Sequence, residues 1–235
     1  MIGIIVPAHD EQHSIEACIR SLRKAAVHPD LRGEPVDIFV ALDACSDTTG
    51  ASARRLGAHT LEVRARNVGL ARQAGAQAAV DAGARWLAFT DADSVVAPGW
   101  LAAQLALGAD AVCGTVTVAD WGNYGARVHR DYLQRYVDAD GHSHIHGANL
   151  GVSARAYAVA GGFLGLETGE DVALVEALQN SGARIAWSNA PRVVTSARAN
   201  FKAPGGFGAH LQRIDRLLPP LARLTQPQPD IGAGA

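Results

Sequence analysis

Two aspartates one residue apart, Asp91 and Asp93, follow the mostly apolar run Leu87-Ala88-Phe89-Thr90, and Pro98 and Gly99 come soon after. A short apolar run bounded by turn formers reads as a buried strand, which puts both acids just past its carboxyl end. In open α/β sheets that edge is where ligands bind. Two carboxylates about 4 Å apart repel by roughly 1 kcal/mol in water and about 4 kcal/mol at a protein surface. A hard divalent cation turns the repulsion into affinity, and Mg²⁺ is commonly held by one or two carboxylates together with substrate phosphates. An isolated Asp-x-Asp is more often a solvated loop. Its place after a buried strand strengthens the case for a metal site, which the rest of the chain must strengthen further.

The elements that must position this pair alternate in type. Ile2–Val6 reads as a buried first strand closed by Pro7, and the loop Pro7-Ala8-His9-Asp10-Glu11 leads to a helix capped by Ser14 with an apolar stripe of Ile15, Cys18, Ile19 and Leu22. Val36–Leu42 is a second strand ending at Asp43, and Asp47 or Thr48 caps a helix that stops at Gly57. His59–Val63 is a third strand, Asn67 caps an alanine-rich helix to Ala82, and Trp86–Thr90 is the fourth strand. Such alternation predicts an α/β fold, a mostly parallel sheet with helices on both faces. Asp10 and Glu11, Asp43, Asn67, and Asp91 with Asp93 then fall at successive strand ends along one sheet edge. Helix capping explains single Asp or Asn residues, but it does not explain Asp43 together with the Asp91/Asp93 pair. The spacing favours a pocket.

The second half is less regular. Helices are expected over Trp100–Leu107, Trp121–Val137 and the Val172–Leu178 stripe ended by Gly182, and strands over Ala111–Val118, Arg184–Trp187 and Val193–Thr195. Glycines 161, 162 and 165 lead to Glu170-Asp171. Residues 1–218 are read as one domain, with halves 1–95 and 96–218, and the Gln-Pro tail 219–235 as disordered.

The totals narrow the class. The chain has 235 residues, 48% of them hydrophobic and 19% charged, an ordinary globular balance. A formal net charge of −2 argues against nucleic-acid binding. The three cysteines, Cys18, Cys45 and Cys113, form no zinc or disulfide pattern, and no stretch approaches the ~20 apolar residues of a membrane span. A cytoplasmic location is expected, with peripheral membrane association and a homodimer left open.

Taken in order, Val-Pro-Ala-His-Asp-Glu (6–11), Leu-Asp-Ala-Cys-Ser-Asp (42–47), Asn-Val-Gly-Leu-Ala-Arg (67–72), Asp-Ala-Asp (91–93) and Glu-Asp (170–171) resemble the inverting family 2 glycosyltransferases of GT-A fold. The resemblance spans roughly residues 1–200. It implies a Rossmann-like nucleotide-sugar half, an acceptor half, and a UDP- or GDP-sugar donor with Mg²⁺ or Mn²⁺. It further implies that Pro7, Ala8 and Glu11 shape the loop over the base and that Asp43 bonds the base. Asn67, Gly69 and Arg72 would complete the nucleoside wall. Asp91, Ala92 and Asp93 would meet the ribose and the metal, with Asp93 as the main metal ligand and His210 a weaker one. Asp171 would be the general base and Glu170 its positioning neighbour.

On the acceptor side the resemblance places His146, Gly147 and Asn149, and Arg198 and Lys202 would form a lid over the diphosphate. The alternating histidines 142, 144 and 146 would share a strand face, lining the acceptor pocket in preference to holding zinc. The acceptor expected is a hydroxyl of a small molecule, lipid or glycan. The family's processive synthases carry Gln-x-x-Arg-Trp, which this chain lacks, so transfer of a single sugar is expected. The rivals are a catalytically silent sugar-nucleotide binder and a sugar-phosphate nucleotidyltransferase. The latter wants a glycine-rich basic loop that residues 7–11 do not supply.

Overall fold

The computed structural model describes residues 1–118, 121 and 126–196. Arg198, Lys202, His210, the glycine-rich segment 204–208 and the 219–235 tail lie outside the described residues.

Four strands, β1 (Ile2–Ala8), β2 (Val36–Asp43), β3 (His59–Val63) and β4 (Trp86–Phe89), are joined by α1 (Ile15–Ala26), α2 (Thr49–Arg55) and α3 (Val68–Asp81). The chain continues through β5 (Val95–Val96), α4 (Trp100–Ala106), β6 (Ala111–Val118), α5 (Ala126–Arg135), β7 (Leu150–Ser153), α6 (Ala154–Ala160), α7 (Glu170–Asn180) and β8 (Ile185–Thr195). One sheet holds all the strands in the order β3-β2-β1-β4-β7-β6-β8-β5. The first four are mutually parallel, as expected. β7 runs antiparallel between β4 and β6, β8 runs parallel to β6, and β5 closes the edge antiparallel to β8.

Both faces are covered, which is why the inner strands β1 and β4 read as continuous apolar runs rather than alternating ones. On one face Ile2, Ile4 and Val6 pack against Cys18, Ile19 and Leu22 of α1 and Trp100 and Leu101 of α4. On the other, Ile5, Leu87 and Phe89 meet Ala76 and Ala79 of α3 and Leu174, Val175 and Leu178 of α7. Each such aliphatic side chain contributes about 1.5–3 kcal/mol when fully buried. The alanine-rich character of α3 has a steric cause. A Cβ at Gly75 would lie 2.7 Å from Ile5 Cγ2, and one at Gly3 would lie 2.7 Å from the Cβ of Ala79. The helix lies close enough to the sheet that only small residues fit between them.

The cap expected at Asn67 forms, its Oδ1 accepting the Leu70 N–H at 2.9 Å. Ser14 does not cap; its Oγ donates to Glu11 Oε2 at 2.7 Å. Asp47 receives the Thr49 N–H at 2.9 Å from just outside α2. The two strands expected over 184–187 and 193–195 are one strand, β8, whose register against β6 shifts between Gly114 and Val116. Histidines 142–146 lie in no strand.

Chain order reverses at β1. From β1 the chain leaves through α1 to β2 on one side, and from β3 it returns across α3 to β4 on the other. The loops after β1 and β4 diverge there, leaving the crevice at which open α/β sheets bind ligands. Pro7 lies inside β1, paired with Ala41, rather than closing the strand. Ile5 turns its carbonyl to Thr90 at the end of β4, and Pro7, two residues on, faces the same side beyond the last β4 residue. Its missing N–H falls where the ladder has ended, so the gap is kept without an unpaired donor.

Candidate active site

Asp43, at the end of β2, is buried and builds the floor. Its Oδ1 accepts the N–H groups of Ala65 and Arg66 at 2.9 and 2.8 Å, and its Oδ2 accepts that of Asn67 at 2.7 Å. The carboxylate thus folds the loop 64–67 and presents the start of α3, with one lone pair of Oδ2 remaining. His9 donates from Nδ1 to the Asp43 carbonyl at 2.6 Å, joining the loops after β1 and β2. Asp10 strengthens the same join, accepting the Ser46 N–H at 2.7 Å and the Asp47 N–H at 3.2 Å. The Ser46 N–H holds Asp10 below the ordinary carboxylate range.

Across the crevice, the Ser94 N–H returns to the Asp91 carbonyl at 3.0 Å, so residues 91–94 form a tight turn carrying both acids. The buried Cys18 thiol of α1 donates to the Asp91 carbonyl at 3.4 Å. Burial raises its pKa, and the carboxylates of Asp91, Asp93 and Glu11 raise it further. Glu11, in the loop after β1, acts on the same thiol from the other side of the crevice's rim of loops. Glu11 is held there by its own N–H donating to Thr49 Oγ1 at 2.7 Å and by Ser14 on its carboxylate. Ala92, expected to contact the ligand, instead turns its methyl into the core, as does Ala8.

Arg72 joins the two halves. It lies on α3, one turn past Asn67, and is only 4% exposed. Its Nη2 donates to Asp91 Oδ1 at 2.6 Å and its Nη1 to Glu170 Oε1 at the start of α7. Its Cζ lies 5.6 Å from the centroid of the Phe163 ring. Burial lowers the pKa of this guanidinium, but the carboxylates of Asp91, Glu170 and Asp171 outweigh that and hold it above its ordinary value. The wall role expected of Arg72 is not what its position provides. The side chain lies beneath the surface with both Nη groups bonded to carboxylates and its buried Nε without a hydrogen-bond partner among the described residues, and it works as an ionic brace.

Beside it, Asp171 is half-buried and its Oδ2 accepts the Gly147 N–H at 2.8 Å. Its charge also acts on Cys113, whose thiol is pushed up to about 12 chiefly by burial. Gly147 is required here, because a Cβ would lie 2.5 Å from Arg72 Cζ and 2.6 Å from its Nη1. Gly69 is required too, since its Cβ would collide with the Leu164 carbonyl and come within 3.1 Å of Glu170 Cβ. Asn67 Nδ2 donates to the Leu166 carbonyl at 2.8 Å, fastening the segment before α7 to the start of α3. The structure therefore brings Asn67, Gly69, Arg72, Asp91, Gly147, Glu170 and Asp171 together.

Asn149 is placed differently from its expected acceptor role. It is 1% exposed, its Oδ1 accepts from Trp100 Nε1 at 2.8 Å, and its Nδ2 donates to the carbonyls of Thr115 and Pro191 at 2.7 and 2.9 Å. With every amide position used, it knits α4, β6 and β8. His146 is half-buried, and its Nε2 is 3.0 Å from Tyr136 Oη, which accepts the Val116 N–H at 2.8 Å. Tyr136 stacks on His144 with centroids 4.1 Å apart, and His142 continues the stack at 5.4 Å. The three imidazoles do share one side, through stacking rather than strand alternation.

Asp91 and Asp93 offer hard oxygen donors suited to Mg²⁺ or Mn²⁺. Among the described residues, the group of three candidate ligand atoms within 4.8 Å of one another is Asp10, Cys45 and Asp47. That group is explained by its own backbone bonds. The pair that sequence reasoning missed was Arg72 with Glu170, 98 residues apart, and no local pattern signals it.

The chain resembles a fragment (1–349) of TarS from S. aureus in complex with UDP-GlcNAc, with TM-score 0.62 and 15% identity, over 92% of this chain and 64% of that one. It resembles the mannosyltransferase PcManGT from Pyrobaculum calidifontis, solved with GDP-Man and Mn²⁺, with TM-score 0.65 and 20% identity, over 92% of this chain and 60% of that one. For GalNAc-T7, solved with UDP, GalNAc and Mn²⁺, the TM-score is 0.60 at 14% identity, over 83% of this chain and 44% of that one. These likenesses carry the fold, which is GT-A. The chain thus spans less than two-thirds of each of these structures. No curated protein matches the chain. Among the described residues no helix is long and apolar enough to cross a membrane. The model of glycosyl transferase family 2 matches residues 3–158, so the chain belongs to that family.

Proposed function

We propose that this glycosyltransferase moves a single sugar from a nucleoside-diphosphate sugar to an acceptor hydroxyl, with inversion and with Mg²⁺ or Mn²⁺ bound at Asp93 and Asp91. The observation that carries the reading is the meeting of Asp91, Glu170 and Asp171 about one buried guanidinium. Donor-side and acceptor-side acids lie at one crevice. Asp91 and Asp93, carried together on the turn 91–94 at the end of β4, support an oxygen-ligated cation, because neighbouring like charges gain from a counter-ion. The Mn²⁺ named with PcManGT and GalNAc-T7 is consistent with it.

A bound divalent cation would neutralise charge growing on the leaving diphosphate, the Lewis-acid role of such ions. The chain's own residues do the rest. Asp43 and the loop it folds, with His9 and Glu11, would bind the nucleoside; UDP and GDP both fit this reading, as the bases named with TarS and PcManGT differ. Asp171 keeps Oδ2 fixed by the Gly147 N–H and would take the acceptor proton, a service typically worth ~10²–10⁴ in rate. An acceptor anchored near His146 would bring its hydroxyl to this carboxylate. Displacement from the face opposite the diphosphate inverts the anomeric carbon.

The test is donor turnover. Asp171→Asn is expected to bind nucleoside diphosphate with Mn²⁺ as the parent does and to lose transfer by about 10²-fold or more. Unchanged turnover would remove the base role. A parent protein that binds a sugar nucleotide yet never cleaves it would instead be a silent binder.

A further inference from the structure

We propose that Arg72 is a positioning residue that sets the donor-side carboxylate of Asp91 and the acceptor-side pair Glu170–Asp171 in a single geometry, so that neither side is correct without the other. The inference rests on the reading of Asp91 as donor-side and Asp171 as base, and deepens it. Arg72 touches no open surface, and its two Nη atoms divide between β4's terminal turn and α7's first residue. Each carboxylate is seated separately as well. Glu170 packs against the bare edge of Gly69, and Asp171 is bonded to Gly147, whose bare edge faces the guanidinium so closely that no Cβ would fit between them. A planar fork presents donors to two carboxylates at fixed angles, whereas an ammonium carries three rotatable donors on a point charge and fixes the angle of neither.

This arrangement gives Arg72 a role distinct from charge neutralisation. Lysine would preserve the charge and the burial but not the fork. In Arg72→Lys the turn 91–94 and the start of α7 would relax independently, and a misplacement near 1 Å of groups that must meet in the transition state costs about 10²-fold in rate. Because Arg72 acts through Glu170 and Asp171, its loss and theirs are not additive.

The test compares the parent chain with Arg72→Lys, Asp171→Asn and the double variant. Circular dichroism first establishes that each folds. Calorimetry reads binding of UDP and GDP with Mn²⁺, and release of nucleoside diphosphate from the donor sugars reads turnover at saturating donor. Arg72→Lys is expected to lower saturated turnover about 10²-fold and to weaken Mn²⁺-dependent nucleoside diphosphate binding as well. Asp171→Asn is expected to cost far less in the Arg72→Lys background than in the parent. Full turnover in Arg72→Lys overturns the proposal, as does an equal Asp171→Asn loss in both backgrounds or a turnover loss with binding unaltered. If Arg72→Lys fails to fold, Glu170→Gln replaces it, with the same two readouts and the same outcomes. A parent that binds neither nucleotide with Mn²⁺ contradicts the functional reading itself, and that result is visible before any variant is compared.

Discussion

Gly147→Ala adds one methyl group at the point where the brace is tightest. Gly147 does not adopt a positive φ, so alanine meets no backbone obstacle and the whole effect is contact. The new Cβ would stand 2.5 Å from Arg72 Cζ and 2.6 Å from Nη1, well inside van der Waals contact. A guanidinium at the end of a free side chain would swing away at little cost. Here Asp91 and Glu170 hold it, and Phe163 lies along its face. Overpacking a buried site costs ~1–3 kcal/mol. Prising a buried charge from one partner costs up to ~3–5 kcal/mol. The two estimates overlap near about 3 kcal/mol, the expected loss in urea unfolding with the denaturant slope unchanged. Gly99→Ala is the control. It caps α4 with φ −86, and a Cβ there would find only His28 Nε2, at 3.8 Å. Its effect is expected to stay within about 0.5 kcal/mol. If Gly147→Ala destabilises no more than Gly99→Ala, Arg72 is not pinned and the ionic brace is wrong.

Three further outcomes follow from the same contacts. Asp43→Asn keeps an oxygen for Ala65 and Arg66 but turns an amide toward the Asn67 N–H; the lost charged bond and orphaned donor should lower unfolding stability by about 2–4 kcal/mol. Asn149→Ala orphans Trp100 Nε1 and the Thr115 and Pro191 carbonyls, so it should lose several kcal/mol of stability. Loss of activity without loss of stability in that variant would return Asn149 to the acceptor site. Burial and the nearby His142 lower the His144 pKa below its ordinary 6.5. Below that value the unfolded chain takes up the proton first, so the stability given by the neutral ring is complete above pH 6.5 and lost as pH falls through the lower folded value. The urea midpoint should therefore drop from pH 7.5 toward pH 5, and less steeply in His144→Gln.

Much of the fold was legible because most of the first half obeys local rules, Ser14 and Pro7 apart. Asn67 caps what it precedes, Gly57 and Gly83 follow helices with positive φ, and β1, β2 and β4 are short, largely apolar runs. Legibility faded where structure depends on distant partners. β7 is four residues long and buried, so it offers neither alternation nor length, and its antiparallel pairing with β4 and β6 is set by tertiary contact. Residues 184–195 looked like two strands because Pro191 lies between them, yet the register shift opposite Gly114 carries β8 through. The acids of the site could be read from strand ends, whereas their burial partners could not. The resemblance puts Arg72 in the nucleoside wall, and its brace stays hidden in the sequence because its partners Asp91 and Glu170 are 19 and 98 residues away. Asn149 looked like a polar contact because nothing nearby names Trp100 or Pro191 as its partners.

The central claim is that a cation held by Asp93 and Asp91 couples this crevice to a nucleoside diphosphate. Titration calorimetry of UDP and GDP against the parent and Asp93→Ala, each with and without Mn²⁺, tests it directly. The account predicts that the parent binds at least one of them, that Mn²⁺ tightens binding about tenfold or more, and that Asp93→Ala removes that gain while keeping weak metal-free binding. Equal affinity with and without Mn²⁺ in the parent, or a full Mn²⁺ gain surviving in Asp93→Ala, would contradict it.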